Sequence, residues 1–275
     1  MPECESGKLR MLRAEDVPAA FELSAEAGWN QTEEDWRMLL DLAPEGCIAI
    51  EADGQVAATT TLVCYERRLA WIGMVLTKRE YRRRGWARTL LARTLTQADQ
   101  MGIETTKLDA TEQGMPLYEE FGFHAEREVE RWSRSGGEVT PFPAVHRTCS
   151  EEAWREADVL AFGADRSRLL GMLAQRSHPI VLSRSYLFAR PGRVTAHLGP
   201  CVGENPETVR QLIDQALQNT NCGWSWDLFP SNREAVSLAR HFGFAPQRRL
   251  LRMVRGKALR QKENAIYAIA GFELG

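Results

Sequence analysis

The stretch Val75-Leu76-Thr77, followed shortly by Arg82-Arg83-Arg84-Gly85-Trp86-Ala87-Arg88, constrains the fold more than any other part of the chain. It reads as a β-strand, a glycine-bearing turn and the start of a helix. Glycine permits close approach of backbone to a ligand. The N–H groups of such a turn and the positive end of the helix then converge on one spot. An anion belongs there, and a pyrophosphate fits in size and charge. Val75 and Thr77 lie at alternate positions of the preceding strand, so their backbone is placed to pair with an extended amide ligand as with a further strand.

The surrounding segments give the turn its context. Lys8 to Arg13 reads as a strand, and Asp16 as the N-cap of a helix entered through Pro18. Gly28 ends that helix. Thr32, followed by Glu33, Glu34 and Asp35, opens a second one with acids in its first turn, where the dipole favours them. Asp53-Gly54 is a hairpin turn between the strands Cys47 to Glu51 and Gln55 to Tyr65. After the basic turn, Trp86, Leu90, Leu91, Leu95, Ala98 and Met101 recur at helical spacing. Lys107 to Ala110 is a short strand, Met115 to Phe121 a short helix and Phe123 to Ser133 a final strand. The predicted order is β-α-α-β-β-β-α-β-α-β, an α/β (α+β) chain with a mixed sheet.

The second half echoes the first. Asn232-Arg233-Glu234-Ala235 leads to Gly243-Phe244 at the spacing by which Thr111 to Gly114 leads to Gly122-Phe123. An aspartate in a strand precedes each, Asp109 and Asp227. A strand Arg193 to Val202 and a helix Pro206 to Gln218 complete the echo. Domains are therefore expected at 1–133 and 148–275, joined by a linker at 134–147 that carries Gly136, Gly137, Pro141 and Pro143.

Composition narrows the function classes. The 275 residues are 44% hydrophobic and 26% charged, as in soluble globular proteins. A net charge of −2 makes no global case for nucleic acid or an anionic membrane. No apolar run approaches the ~20 residues that span a bilayer, and Met1 to Glu5 lacks the apolar core of a signal peptide. The six cysteines form no C-x-x-C pair, so reduced thiols in a cytoplasmic protein are expected, with no zinc site. The five histidines show no ligand spacing. The basic run has a second reading as a nucleic-acid contact, but one helix end is a small footprint.

Taken together, Arg82-x-x-Gly85-x-Ala87, the hydrophobic strand ending at Thr77, and Tyr118-x-x-x-Gly122-Phe123 resemble the GNAT superfamily of N-acetyltransferases. The whole chain is similar to bacterial tandem GNAT proteins with a degenerate second copy. The resemblance implies acetyl-CoA as co-substrate. It implies that the backbone of Val75, Leu76 and Thr77 holds the acetyl group and pantetheine. It implies, further, that Arg82, Arg83, Arg84, Gly85, Trp86, Ala87 and Arg88 hold the pyrophosphate, and that Tyr118 lies near the sulfur. The second copy has Ala239 where Tyr118 stands and the acidic turn Gly203-Glu204-Asn205-Pro206-Glu207 in place of the basic one. Glutamates repel a diphosphate, so residues 148–275 are expected not to bind CoA and to complete the acceptor pocket or to stabilise the first domain.

The chemistry assigns further roles. A neutral amine attacks the thioester, a backbone N–H of Leu76 or Thr77 polarises the carbonyl, and the Tyr118 hydroxyl protonates the departing sulfur. Asp109 has two readings, a base acting through water or a cap for the turn at Thr111. Trp29, Asn30 and Asp35 are candidates to frame a cationic acceptor, and helix packing with capping by Thr32 is the plainer reading. Glu51 and Asp53 read as a solvated strand end and turn. Gly85→Val is expected to close the turn sterically. The acceptor is expected to be an amine on a small molecule, amino-acid derivative or peptide, and the protein a monomer or homodimer. A longer acyl donor and a non-catalytic acyl-CoA sensor are the alternatives.

Overall fold

The element order read from the first half is the order found. The structure is a computed structural model and describes residues 7–137, 151–177, 179–218 and 220–275. It divides into two units, Met1–Thr106 and Lys107–Gly275.

In the first unit, β1 (Lys8–Met11), β2 (Cys47–Ala52), β3 (Gln55–Tyr65) and β4 (Leu69–Thr77) form an antiparallel meander. Asp53 and Gly54 join β2 to β3 with φ of 53° and 72°, as a type I′ turn demands. The helices are α1 (Val17–Glu26), α2 (Glu33–Leu42) and α3 (Trp86–Gln100), and β5 (Thr105–Ala110) begins at the end of this unit. On α3 the buried residues Trp86, Leu90, Leu91, Thr94, Leu95 and Ala98 form one stripe. Asp16 does not cap α1 with its side chain. It accepts two hydrogen bonds from the Arg10 guanidinium, at 2.6 and 2.9 Å, and one from the Arg13 N–H at 2.8 Å. The fork of a nearby arginine outcompetes a capping role because it gives two charge-assisted bonds.

In the second unit come α4 (Met115–Glu120), β6 (His124–Arg134), α5 (Glu151–Phe162), α6 (Ser167–Arg176), β7 (Ile180–Leu182), β8 (Ser185–Arg190), β9 (Ala196–Val202), α7 (Pro206–Leu217), β10 (Trp224–Leu228), α8 (Arg233–His241), β11 (Ala245–Gly256) and β12 (Ile266–Ala268). The strands run β5-β11-β6-β10-β9-β8-β7, with β12 beside β9. This order interleaves the two repeats. β11 of the second repeat lies between β5 and β6 of the first, and β6 of the first lies between β10 and β11 of the second.

Side-chain alternation fixes how the exchange is held. Along β10, Trp224, Trp226 and Leu228 join a core built with Val209, Leu212, Ile213, Ala235 and Leu238 of α7 and α8. Asp227 therefore points to the other face, where it is fully buried and faces Arg131 in register. Arg131 donates to its two oxygens at 2.7 and 2.6 Å. Burial alone would raise the Asp227 pKa, but Arg131 overrides it and holds the carboxyl below its ordinary range. Of the expected linker, Gly137 bridges to Cys222, and 138–147 lie outside the described residues. The helices α5 and α6 and the strands β7, β8 and β12 have no counterpart in the sequence reading.

Candidate active site

The site is built on a defect in β4. Across the β3–β4 ladder, Thr59 pairs with Leu76 and Thr61 with Gly73, so β4 carries one extra residue there. Met74 takes a φ of 50° within the bulge, a conformation uncommon for a non-glycine residue. Thr59 Oγ1 donates to the Met74 carbonyl at 2.9 Å, and Thr60 Oγ1 to the Gly73 carbonyl at 3.3 Å. The threonine side chains replace ladder bonds that the bulge disrupts. Beyond it, the Lys78 N–H donates to the Ala57 carbonyl at 2.8 Å. Since antiparallel pairs alternate, Leu76 turns its polar backbone groups toward β3 and Thr77 turns them away. Of the two N–H groups expected to polarise a carbonyl, Thr77 is the one directed off the β3 edge.

The turn before α3 is exposed and anion-shaped. Arg83 and Gly85 have φ of 64° and 81°, and such left-handed steps curl successive N–H groups into a concavity. No side chain caps α3, and its ladder starts with the Thr89 N–H on the Gly85 carbonyl at 3.0 Å. The N–H groups of Gly85, Trp86 and Ala87 thus lie ahead of the ladder. The side chains of Arg82, Arg83, Arg84 and Arg88 are exposed around them. Arg82 Nε donates to the Thr77 carbonyl at 3.2 Å and ties the turn to the strand. Arg84 lies over the stacked rings of Tyr81 and Trp86, 5.0 and 5.8 Å from their centroids. A Cβ added at Gly85 meets nothing within 4 Å. The steric closure expected for Gly85→Val is therefore replaced by a backbone cost, since φ of 81° disfavours any L side chain.

Sequence reasoning missed the support beneath this turn. The Tyr81 hydroxyl donates to Asp53 at 2.5 Å and accepts from Gln55 at 3.1 Å, and Lys78 donates to Gln55 at 2.7 Å. Asp53 is an exposed turn residue, as expected, and it also anchors Tyr81, while Glu51 accepts from Arg10 at 2.5 Å. The signal was a tyrosine within the basic run, too generic to be read alone.

In the second unit, α4 carries Tyr118, nearly buried and edge-on to Phe123 at 6.1 Å. Its hydroxyl has no hydrogen-bond partner among the described residues, and burial pushes its pKa up to about 12. A Cβ at Gly114 would lie 3.1 Å from the Tyr118 ring. Asp109 takes neither role expected for it. Thr111 Oγ1 accepts the Gly114 N–H at 3.2 Å and so caps the turn itself. Both Asp109 oxygens accept from Arg252, at 2.8 and 2.9 Å, and the side chain has no solvent exposure. Burial pushes this carboxyl up and Arg252 pulls it back. Asp35, expected beside an acceptor, closes a capping box. It accepts from the Thr32 N–H and hydroxyl at 2.8 and 3.1 Å, and Thr32 Oγ1 accepts the Asp35 N–H at 3.2 Å. Trp29 and Asn30 are half-buried in the preceding loop, and Trp36 is fully buried with its Nε1 donating to Ser24.

The corresponding turn of the second repeat is built differently. The Glu204 N–H donates to Ser185, Pro206 has no N–H, the Thr208 N–H donates to Asn205, and Glu207 pairs with Arg210. Two acidic side chains and a proline thus stand where the first repeat has arginines and glycine.

A bulged strand leads into an uncapped, arginine-ringed helix start on a mixed α/β fold, an arrangement suited to an extended ligand that carries an anionic group. Comparison with known proteins agrees. The acetyltransferase (GNAT) family model matches residues 11–123, and an acetyltransferase (GNAT) domain model matches residues 155–268. The chain belongs to the GNAT family as a tandem of two such domains, and it is an acyltransferase. It is 28% identical over 222 residues to the uncharacterized N-acetyltransferase YitH of Bacillus subtilis (strain 168), covering 75% of this chain and 76% of that one. In fold it is similar to a presumed acetyltransferase from Pyrococcus horikoshii, with a TM-score of 0.86 at 22% identity over 98% of this chain and 96% of that one. It is also similar to a tandem GNAT protein from the clavulanic acid biosynthesis pathway, with a TM-score of 0.63 at 16% identity over 91% and 98% of the two chains. Among the described residues no helix is long and apolar enough to cross a membrane.

Proposed function

We propose that this protein transfers an acetyl group from acetyl-CoA to a primary amine of a small molecule, amino-acid derivative or peptide. The observation that carries the reading is the uncapped start of α3, where the N–H groups of Gly85, Trp86 and Ala87 precede the helical ladder amid exposed arginines. There the pyrophosphate accepts from backbone donors and the arginines screen its charge. Val75 and Thr77 hold the pantetheine arm as an added strand, and the Thr77 N–H polarises the thioester carbonyl. The neutral amine attacks, the tetrahedral oxyanion collapses, Tyr118 gives its proton to the departing thiolate, and the proton shed by the attacking nitrogen returns to the Tyr118 phenolate through solvent. A phenol kept protonated by burial suits that step.

Asp109 and Asp35 are withdrawn from the reacting set, the first to hold Arg252 and the second to close the α2 cap. Trp29 and Asn30 stay as acceptor-loop residues. The protein works in the cytoplasm, as a monomer or homodimer, without a metal.

The test is turnover with a panel of primary amines, read as release of free CoA thiol. Acetyl-CoA-dependent thiol release that rises with one class of amine supports the reading. Tight acetyl-CoA binding with no thiol release across the panel favours a sensing module instead.

A further inference from the structure

The two repeats carry the same bulge. In the first, Thr59 pairs with Leu76 and Thr61 with Gly73. In the second, Leu187 pairs with Cys201 and Ala189 with Leu198. Each time the later strand has one extra residue. Aligned on the bulge, Gly199 matches Met74, Pro200 matches Val75, Cys201 matches Leu76 and Val202 matches Thr77. Both Met74 and Gly199 have positive φ. Residues 200–202 are thus the second repeat's counterpart of the strand segment to which the first repeat's donor arm is assigned.

That segment already has an occupant. β12 pairs with β9 antiparallel, Ile266 with Val202 and Ala268 with Cys201. β9 and β10 pair in parallel only from Trp224 to Trp226. Past that point the Ile269 N–H donates to the Asp227 carbonyl of β10 at 3.0 Å, so the chain's own last residues enter where the two strands part. The second repeat answers four carbonyls of this segment. The Gly203 N–H donates to Ala265, Asn232 Nδ2 to Ile266, Trp226 Nε1 to Tyr267 and Arg190 to Ala270, at 2.9, 3.0, 2.7 and 2.5 Å. The Tyr267 hydroxyl donates to Glu234 at 2.6 Å. A Cβ on Gly199 would lie 2.3 Å from the Ile269 carbonyl. Ala268 and Ala270 have no solvent exposure.

We propose that residues 265–270 are a built-in occupant of the second repeat's donor groove, an extended peptide standing where an extended pantetheine stands in the first. The peptide offers what the arm offers, a strand of alternating amide donors and acceptors, and it is tethered, so its effective concentration is high. The second repeat is then closed to acyl-CoA by its own chain, and the acidic turn at Glu204 and Glu207 is a second barrier. The inference rests on the reading of β4 as the donor strand.

Hydrogen exchange on the full chain, with and without saturating acetyl-CoA, tests it. The account expects the Gly203 and Ile269 amides to be equally protected in both states, while protection over residues 75–88 rises on adding acetyl-CoA. Faster exchange at Ile269 with acetyl-CoA would overturn it. Unchanged exchange over 75–88 would sink the donor site of the first repeat instead, so the two failures are told apart. Ala268→Asp tests the groove itself, since a carboxylate there expels β12. In that variant Gly203 should exchange at least tenfold faster, and millimolar S-acetylpantetheine, which lacks the phosphates that Glu204 and Glu207 repel, should restore its protection. No restoration in a folded variant means that the groove does not take a pantetheine. Should the variant not fold, exchange on the intact chain decides.

Discussion

Asp109 and Arg252 stand 143 positions apart and meet through two hydrogen bonds of 2.8 and 2.9 Å. Arg131 and Asp227 repeat the relation at 2.7 and 2.6 Å. In each pair an aspartate from one repeat is bound by an arginine on β6 or β11, the exchanged strand of the other. The exchange also places Arg252 opposite Arg127, and Arg248 opposite Arg131, across the β6–β11 ladder. Like charges facing each other across strands are unfavourable, and the buried aspartates offset them. These charges define which strand lies beside which, as buried ion pairs do where register must be specified.

Arg252→Ala strands a buried carboxylate and should cost ~3–5 kcal/mol. The double variant Asp109→Leu, Arg252→Met removes both charges and should cost much less. Urea unfolding of the two single variants, the double variant and the parent gives the coupling directly. Additive losses would mean that the pair does not act as a unit.

His197 gives the stability a pH dependence. Burial, aided by Arg190, lowers its pKa to about 3, against ~6.5 in the unfolded chain. Between those values the unfolded state binds the proton and the folded state does not, so stability falls as pH drops from about 6.5 toward 3. The loss is on the order of 5 kcal/mol at full extent. His197→Asn should flatten that part of the curve, as measured by urea midpoints at pH 7, 5 and 4.

Gly85→Ala leaves open space around its Cβ but forces an L residue to a φ of 81°. Either the fold loses ~1–2 kcal/mol, or the turn relaxes and its N–H groups lose their convergence. Acetyl-CoA affinity should fall at least tenfold in the second case. A variant with both parent-like thermal stability and parent-like affinity would contradict the account.

Tyr118→Phe should lower kcat by roughly 10²–10⁴-fold, the usual weight of a general acid, with little change in acetyl-CoA affinity. Because burial lifts the tyrosine to about 12, the parent's activity should show no loss of this acid below about pH 10. Equal kcat for the two proteins would reduce Tyr118 to a packing residue.

The first ten elements were legible because each has a local signal. Examples are Thr32 with its acids, Asp53-Gly54, the apolar stripe of α3, and glycine in the turn before it. The repeat was visible through Asp109, Asp227 and the Gly-Phe pairs. The strand exchange was not, because nothing local to Arg131 or Arg252 says that its partner lies in the other repeat. The same holds for Asp109, whose carboxylate is claimed by Arg252, whereas the capping of α2 by Thr32 and Asp35 was the plainer of the two readings in the sequence. β12 has three residues and no periodicity to read, and its pairing with β9 and its bonds to Asn232 and Trp226 define it.

Calorimetric titration of the purified protein with acetyl-CoA tests the central claim most directly. The account predicts one equivalent per chain, with affinity that weakens as salt is raised. No binding, or two equivalents of equal affinity, would contradict it.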